Sequence, residues 1–200
     1  DLNLEAAGIR CGPQGIAVNA ALRTSNRRGY AIGDVTGGSA QAHLAEYHAG
    51  VFLKRVLFRL RASAAAHAAP RVTFTSPEIA WSGLDEAAAR AKHGRVNVLR
   101  WPYAENERAQ TERCTQGHIK VITTSKGDIL GAGIVGAQAS ELIQVWTLAM
   151  AQNLGIKAMT EWVAPHPTLS EISRQVALNT FATKAVRPMV RAVVRLLGRF

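Results

Sequence analysis

A chain of 200 residues can bury one or two hydrophobic cores, and 48% apolar with 19% charged side chains is the composition of an ordinary globular protein. No apolar run approaches the ~20 residues that a membrane-spanning helix needs, and Cys11 and Cys114, far apart and in no CxxC or CxxxxC pair, argue against a disulfide scaffold and for a reducing, cytoplasmic setting. The net charge of +10 is uneven: Arg174, Lys184, Arg187, Arg191, Arg195 and Arg199 follow the last acidic residue, Glu171, and without a zinc-ligand cluster or a basic stripe interleaved with aromatics no nucleic-acid partner is expected.

The chain opens at Asp1 with neither methionine nor the basic and apolar regions of a signal peptide, so a truncated or processed chain is expected. Residues 15–19, GIAVN, read as a strand. Residues 22–24 read as a short strand or a turn entry. Residues 30–32 read as a strand ending at Gly33-Asp34. Residues 36–39, TGGS, break the chain. Leu44, Tyr47, Val51, Leu53, Leu57 and Leu60 then recur at helical spacing, predicting a helix over 40–61 with Ser39 as its cap. Residues 62–69 are Ala- and Ser-rich and read as a linker closed by Pro70.

A second unit opens at residues 71–75. A helix is expected over 84–90 with Asp85 near its start, and a strand over 96–101. Residues 118–123 and 129–135 read as strands joined by a hairpin at Ser125–Asp128. Residues 139–153 form a strong amphipathic pattern stopped at Gly155. A short helix is expected over 157–162, and longer ones over 169–181 and 186–200. The first unit thus runs strand–strand–helix, and the second mixes antiparallel strands with helices, an α+β order.

Chemistry concentrates at two places. A strand ending in Gly-Asp, followed by a Gly-rich turn and a helix, is a ligand platform: Gly33 permits close approach, the Asp34 carboxylate accepts from sugar hydroxyls, and the helix start offers its positive dipole end. The second place is Pro165–Glu171, PHPTLSE. Pro167 disfavours helix at His166, so a helix starting near Thr168 carries Glu171 in its first turn, and TLSE has the form of a capping box. Read alone, these residues are a helix cap with a surface histidine. A carboxylate on one ring nitrogen of His166 would also fix its tautomer and raise its basicity, suiting it to thiol proton transfer.

Residues 24–34, TSNRRGYAIGD, resemble the second FAD-binding signature of the two-dinucleotide-domain flavoprotein reductases. PHPTLSE resembles the terminal motif of the class I pyridine nucleotide-disulfide oxidoreductases, the family of dihydrolipoamide dehydrogenase, glutathione reductase and mercuric reductase. Residues 71–90, RVTFTSPEIAWSGLDEAAAR, resemble the opening of that family's dimerisation domain, with 131–142, GAGIVGAQASEL, and 106–109, NERA, resembling later segments of it.

The resemblance implies an α+β dimerisation domain, an antiparallel sheet with helices, preceded by the C-terminal part of an α/β FAD-binding domain. The implied division is 1–69 for the flavin-domain piece and linker, 70–183 for the dimerisation domain and 184–200 for a basic C-terminal helix. It implies that Asp34 binds a ribityl hydroxyl of FAD, with Gly33 beside it, and that the helix start at Gln41, Ala42 and His43 faces the flavin. It implies that His166 is an acid/base oriented by Glu171, reaching the active site of the other subunit of a homodimer, and that His166-Pro167 is cis. It further implies NAD(P)H as the electron source, a small disulfide or related acceptor, and a GxGxxG and a CxxxxC upstream of Asp1, without which this stretch alone would not turn over.

Departures are Gly29 where the family usually has Ile or Val, Arg27 where Pro is common, and Ala42 where many members have Thr. His43 and His48 read as structural. The absence of a C-terminal Cys pair, and His166 where mercuric reductases usually carry Tyr, disfavour mercury chemistry; Ala164, two before His166, weakens a lipoamide assignment. In the tail, Arg187, Arg191, Arg195 and Arg199 repeat every four residues against an apolar side. Two readings stand, contact with an anionic membrane surface or packing on the rest of the enzyme. The alternative to an enzyme part is a non-enzymatic module that dimerises or lies on a membrane.

Overall fold

The computed structural model describes residues 2–38, 40–64 and 69–185. The chain divides into two compact units between Ala69 and Pro70.

In the first unit β1 (Cys11–Gly12) and β2 (Gly15–Ile16) form a two-residue antiparallel hairpin. The longer strand expected over 15–19 stops at Ile16. The strand expected over 30–32 is a single bridge between Arg23 and Tyr30, extended by the Ala31 N–H donating to the Leu22 carbonyl at 3.1 Å. A strand persists only as far as a partner lines up with it, and among the described residues of this unit only 22 and 23 do so. The loop between them is closed by the Thr24 hydroxyl, 3.0 and 3.1 Å from the Asn26 and Gly29 carbonyl oxygens. A Cβ at Gly29 would stand 2.9 Å from that hydroxyl, a local reason for glycine there.

Residues Gly33–Thr36 make a 3₁₀ turn, and α1 spans Ala42–Val56. The helix is shorter than expected at both ends. Gln41 is extended (φ −138) and takes the N-cap position, and Arg59 turns left-handed (φ 55) beyond the C-terminus. The expected cap, Ser39, lies outside the described residues. Ile16, Leu22, Ala31 and Val51 form the small core, while Leu53, Val56, Leu57, Phe58 and Leu60 remain exposed.

The second unit runs β3 (Arg71–Thr73), β4 (Glu78–Gly83), α2 (Glu86–His93), β5 (Val96–Pro102), α3 (Glu107–Thr111), β6 (His118–Thr124), β7 (Ile129–Gly136), α4 (Ala139–Ala151), α5 (Ala158–Glu161) and α6 (Glu171–Ala185). The strands form one antiparallel sheet in the order β3-β4-β7-β6-β5. Ala80, Ile119, Val121, Ala132 and Ile134 of the sheet share the main core with Ile143 and Trp146 of α4 and Ile172 and Val176 of α6. A smaller cluster joins Ala89 of α2 to Val96 and Ile122. Trp81 of β4 pairs with Gly133 of β7, where a Cβ would run into the indole ring, so glycine makes room for the tryptophan.

Local chemistry sets the boundaries. Asp85 caps α2 by accepting the Ala88 N–H at 2.8 Å. The β6–β7 turn is tied by the Thr124 hydroxyl donating to the Asp128 carboxylate at 2.7 Å, with Gly127 at φ 101. The left-handed residue that stops α4 is Asn153 (φ 54), not Gly155: the Leu154 N–H reaches the Ala149 carbonyl and the Asn153 N–H that of Met150, a Schellman pair. Asparagine tolerates the left-handed region well enough to take glycine's usual role. The helix expected over 186–200 lies outside the described residues.

Candidate active site

The segment Pro165–Glu171 is built by its own short-range bonds. The His166-Pro167 bond is cis, and α6 begins at Glu171. The Glu171 carboxylate divides between two partners: Oε2 accepts the Thr168 N–H at 2.9 Å and Oε1 lies 3.1 Å from His166 Nδ1. This is the return half of a capping box with the histidine added. The Thr168 hydroxyl does not close the other half. It donates to the Pro165 carbonyl at 2.7 Å and so fixes the loop. The five-residue separation that a straight helix would splay apart is folded back by the turn, and the two side chains meet.

Glu171 is four-fifths buried at its side chain and His166 is 60% exposed. The hydrogen bond that His166 donates to the Glu171 carboxylate, and that carboxylate's charge, raise the histidine's pKa, with a further push from Glu107. Burial works to raise the Glu171 pKa, but the Thr168 N–H and His166 together outweigh it and hold the carboxyl below its ordinary value. The pair is therefore a charge-stabilised proton site with one ring nitrogen fixed inward and the other directed outward.

A residue absent from the sequence reading of this site stands at that outward nitrogen. His166 Nε2 lies 3.3 Å from Glu107 Oε2, the first residue of α3. Its neighbour Asn106, 1% exposed, holds the two segments together: its carbonyl oxygen accepts the Ala109 N–H at 3.0 Å, capping α3, and its amide donates to the Thr168 carbonyl at 3.1 Å. An Asn before a short helix is a legible cap. Its bond to a residue 62 positions on carries no local signal.

In the first unit the structure places Gly33 and Asp34 in the 3₁₀ turn beside α1. Gly33 is buried at φ +71, and a Cβ there would stand 2.9 Å from the Ala45 Cβ. The close approach that demands glycine is thus to the unit's own helix, where the sequence suggested a ligand. The Gly33 N–H donates to His48 Nδ1 at 3.1 Å, which gives the buried His48 a structural role, holding turn to helix. Asp34 is exposed, as are Ala42 and His43, while Gln41 is half-buried. The first turn of α1 carries no acidic residue, and Gln41 at its N-cap makes no side-chain cap bond. The exposed Asp34 carboxylate can accept from the hydroxyls of a flavin's ribityl chain, and the N–H groups at a helix start suit an anionic part of such a ligand. Among the described residues no group of His, Cys, Asp and Glu is arranged to hold a metal ion.

The chain as a whole is similar to known proteins. The sequence model of the pyridine nucleotide-disulphide oxidoreductase dimerisation domain matches residues 69–177. The dihydrolipoyl dehydrogenase of Bacillus subtilis (strain 168) is 32% identical over 191 residues, covering 90% of this chain and 39% of the relative. The mercuric reductase of Bacillus cereus is 35% identical over 182 residues, covering 90% of this chain and 29% of the relative. Among solved structures, LpdA from Mycobacterium tuberculosis superposes with a TM-score of 0.81 at 26% identity, covering 90% of this chain and 39% of that one. The HOCl-induced flavoprotein disulfide reductase RclA from Escherichia coli gives 0.80 at 25% identity, covering 88% and 41%. The chain spans well under half the length of each of these proteins.

Proposed function

The chain belongs to the pyridine nucleotide-disulphide oxidoreductases and carries their dimerisation domain, and from that premise we propose that it is the C-terminal part of an FAD-dependent NAD(P)H:disulfide oxidoreductase acting as a homodimer. In this reading residues 1–69 complete a flavin-binding domain, 70–183 form the dimerisation domain, and His166 with Glu171 serves the active site of the partner subunit. The observation that carries it is the bond of His166 Nδ1 to a carboxylate already fixed by a backbone N–H.

The chemistry follows from that bond. With its Nδ1 proton donated in the hydrogen bond to the Glu171 carboxylate, neutral His166 presents Nε2 as a base able to take a proton from a thiol, giving the thiolate that attacks or leaves a disulfide. With both nitrogens protonated, the ring gives a proton back to a leaving thiolate. Glu171 compensates the imidazolium charge in either direction. Asp34, with the backbone of Gly33 and the start of α1 at Gln41, Ala42 and His43, would hold FAD. When bound, FAD supplies two-electron transfer between a reduced nicotinamide and a disulfide. The acceptor is a small disulfide or a related electron acceptor; His166, where mercuric reductases usually carry Tyr, speaks against mercury and Ala164 against lipoamide. Among the described residues no helix is long and apolar enough to cross a membrane, and a cytoplasmic setting is part of the same proposal.

The test is His166→Ala in the full-length protein. Disulfide reduction should fall by about 10²–10⁴-fold, the usual worth of a positioned acid/base, with flavin content unchanged. A wild-type rate would sink the acid/base role and favour a module that only dimerises. The cationic repeat of the tail supports contact with an anionic surface through residues 184–200; an intact protein that fails to bind anionic vesicles at low salt would remove that part alone.

A further inference from the structure

We propose that Glu107 is a positioning residue that keeps the outward nitrogen of His166 loaded with a proton, biasing the site toward reducing a disulfide rather than oxidising a dithiol. The inference rests on the acid/base reading of His166 and extends it to the direction of the reaction.

The geometry supports it on three counts. Glu107 Oε2 stands 3.3 Å from Nε2, the ring nitrogen that Glu171 leaves available. The backbone that carries Glu107 is tied to the histidine's own loop, because Asn106 caps α3 and bonds the Thr168 carbonyl. Both side chains are exposed, 72% for Glu107 and 60% for His166, so the contact is weak enough to yield to an incoming group.

A carboxylate facing Nε2 is attracted to a protonated nitrogen and repelled by its lone pair. Among the described residues, the charged groups facing the ring are Glu171 from α6 and Glu107 from α3, both acidic and both favouring imidazolium. Arg174 acts on Glu171 rather than on the ring.

In the reducing direction an enzyme cysteine thiolate attacks one sulfur of a substrate disulfide. The S–S bond breaks, a mixed disulfide forms, and the departing thiolate takes the Nε2 proton to become a thiol. His166 is left neutral, with its remaining proton on Nδ1 against Glu171. That step needs a histidine that starts protonated. The reverse step, taking a proton from a dithiol, needs one that starts neutral, and Glu107 opposes it.

The test compares wild type with Glu107→Gln, which keeps the side-chain shape, in the full-length protein. The His166 ring is titrated by NMR, and both directions are assayed against pH with a small disulfide and its dithiol. The expected result is a His166 midpoint at lower pH in the variant. Disulfide reduction above that midpoint should fall by about two- to five-fold, the range of an exposed ion pair, with no matching fall in dithiol oxidation. Unchanged midpoint and rates, or an equal fall in both directions, would overturn the role of Glu107. If that happens while His166→Ala remains defective, the acid/base reading survives. If His166→Ala turns over normally, that reading falls by itself.

Discussion

His166 and Asp34 both stand exposed on a turn beside the start of a helix, yet their surroundings differ sharply. His166 has a carboxylate on each ring nitrogen, and every group that orients it comes from the same unit. The Asp34 carboxylate takes no hydrogen bond from the described residues, and what is organised there is the backbone, through Gly33, His48 and Ala45. One place is organised around a side chain held by carboxylates, the other around backbone held to a helix. The surfaces agree with this contrast. The exposed apolar run Leu53, Val56, Leu57, Phe58 and Leu60 follows the helix of the Asp34 site, and so much uncovered apolar surface calls for a cover.

The contrast can be broken most forcefully at Glu171. Glu171→Gln in the full-length protein should lower disulfide turnover by about 10²-fold, the lower end of what a positioned acid/base contributes, and move the His166 midpoint to lower pH. The stability consequence has a sign. The raised His166 pKa stabilises the fold below the unfolded value, and that contribution is lost as pH rises through the folded value. The lowered Glu171 pKa stabilises above its unfolded value, and that contribution is lost as pH falls through the folded value. The stability gap between wild type and variant should therefore be widest between the two midpoints, close as pH falls below the Glu171 midpoint, and narrow without closing as pH rises above the His166 midpoint, where the Thr168 N–H still bonds the carboxylate, as urea denaturation across pH would show. A gap independent of pH would mean that the pair is not the source.

Asn106→Ala should cost about 1–3 kcal/mol, because it leaves the Ala109 N–H and the Thr168 carbonyl without their partner. It should also loosen Glu107 from His166, visible as a changed ring titration. On the other side of the comparison, Gly33→Ala should cost about 1–2 kcal/mol for a left-handed residue, with added crowding against Ala45. Its effect should read out in flavin affinity with the His166 titration untouched. A Gly33→Ala protein with altered His166 protonation would erase the distinction drawn here.

The sequence made the sheet and its helices legible wherever the signal was local. The alternation in β5, the β6–β7 turn and the stripe of α4 each lie within one stretch of chain. Where the determinant was non-local, the reading erred or was silent. Residues 30–32 have strand composition, but a strand needs a neighbour, and among the described residues of the unit only Leu22 and Arg23 supply one. Gly155 looked like the stop of α4 because glycine is the usual choice, whereas Asn153 makes the turn. His166 and Glu171 were found because the motif spans a single turn. Glu107 was not found as their partner, because nothing in NERA announces a histidine that the chain meets only after four more elements.

That distance has a consequence in time. β6 and β7 pair through a tight turn, but β4 reaches β7 only by aligning Glu78 with Gly136, and the Asn106–Thr168 bond closes a still longer loop. Contacts of such separation are slow to form, because the chain must be ordered before they repay its entropy. The joint between α3 and the histidine loop is thus expected among the last closures of folding, so a newly made chain would bring Glu107 to His166 only once its sheet is complete.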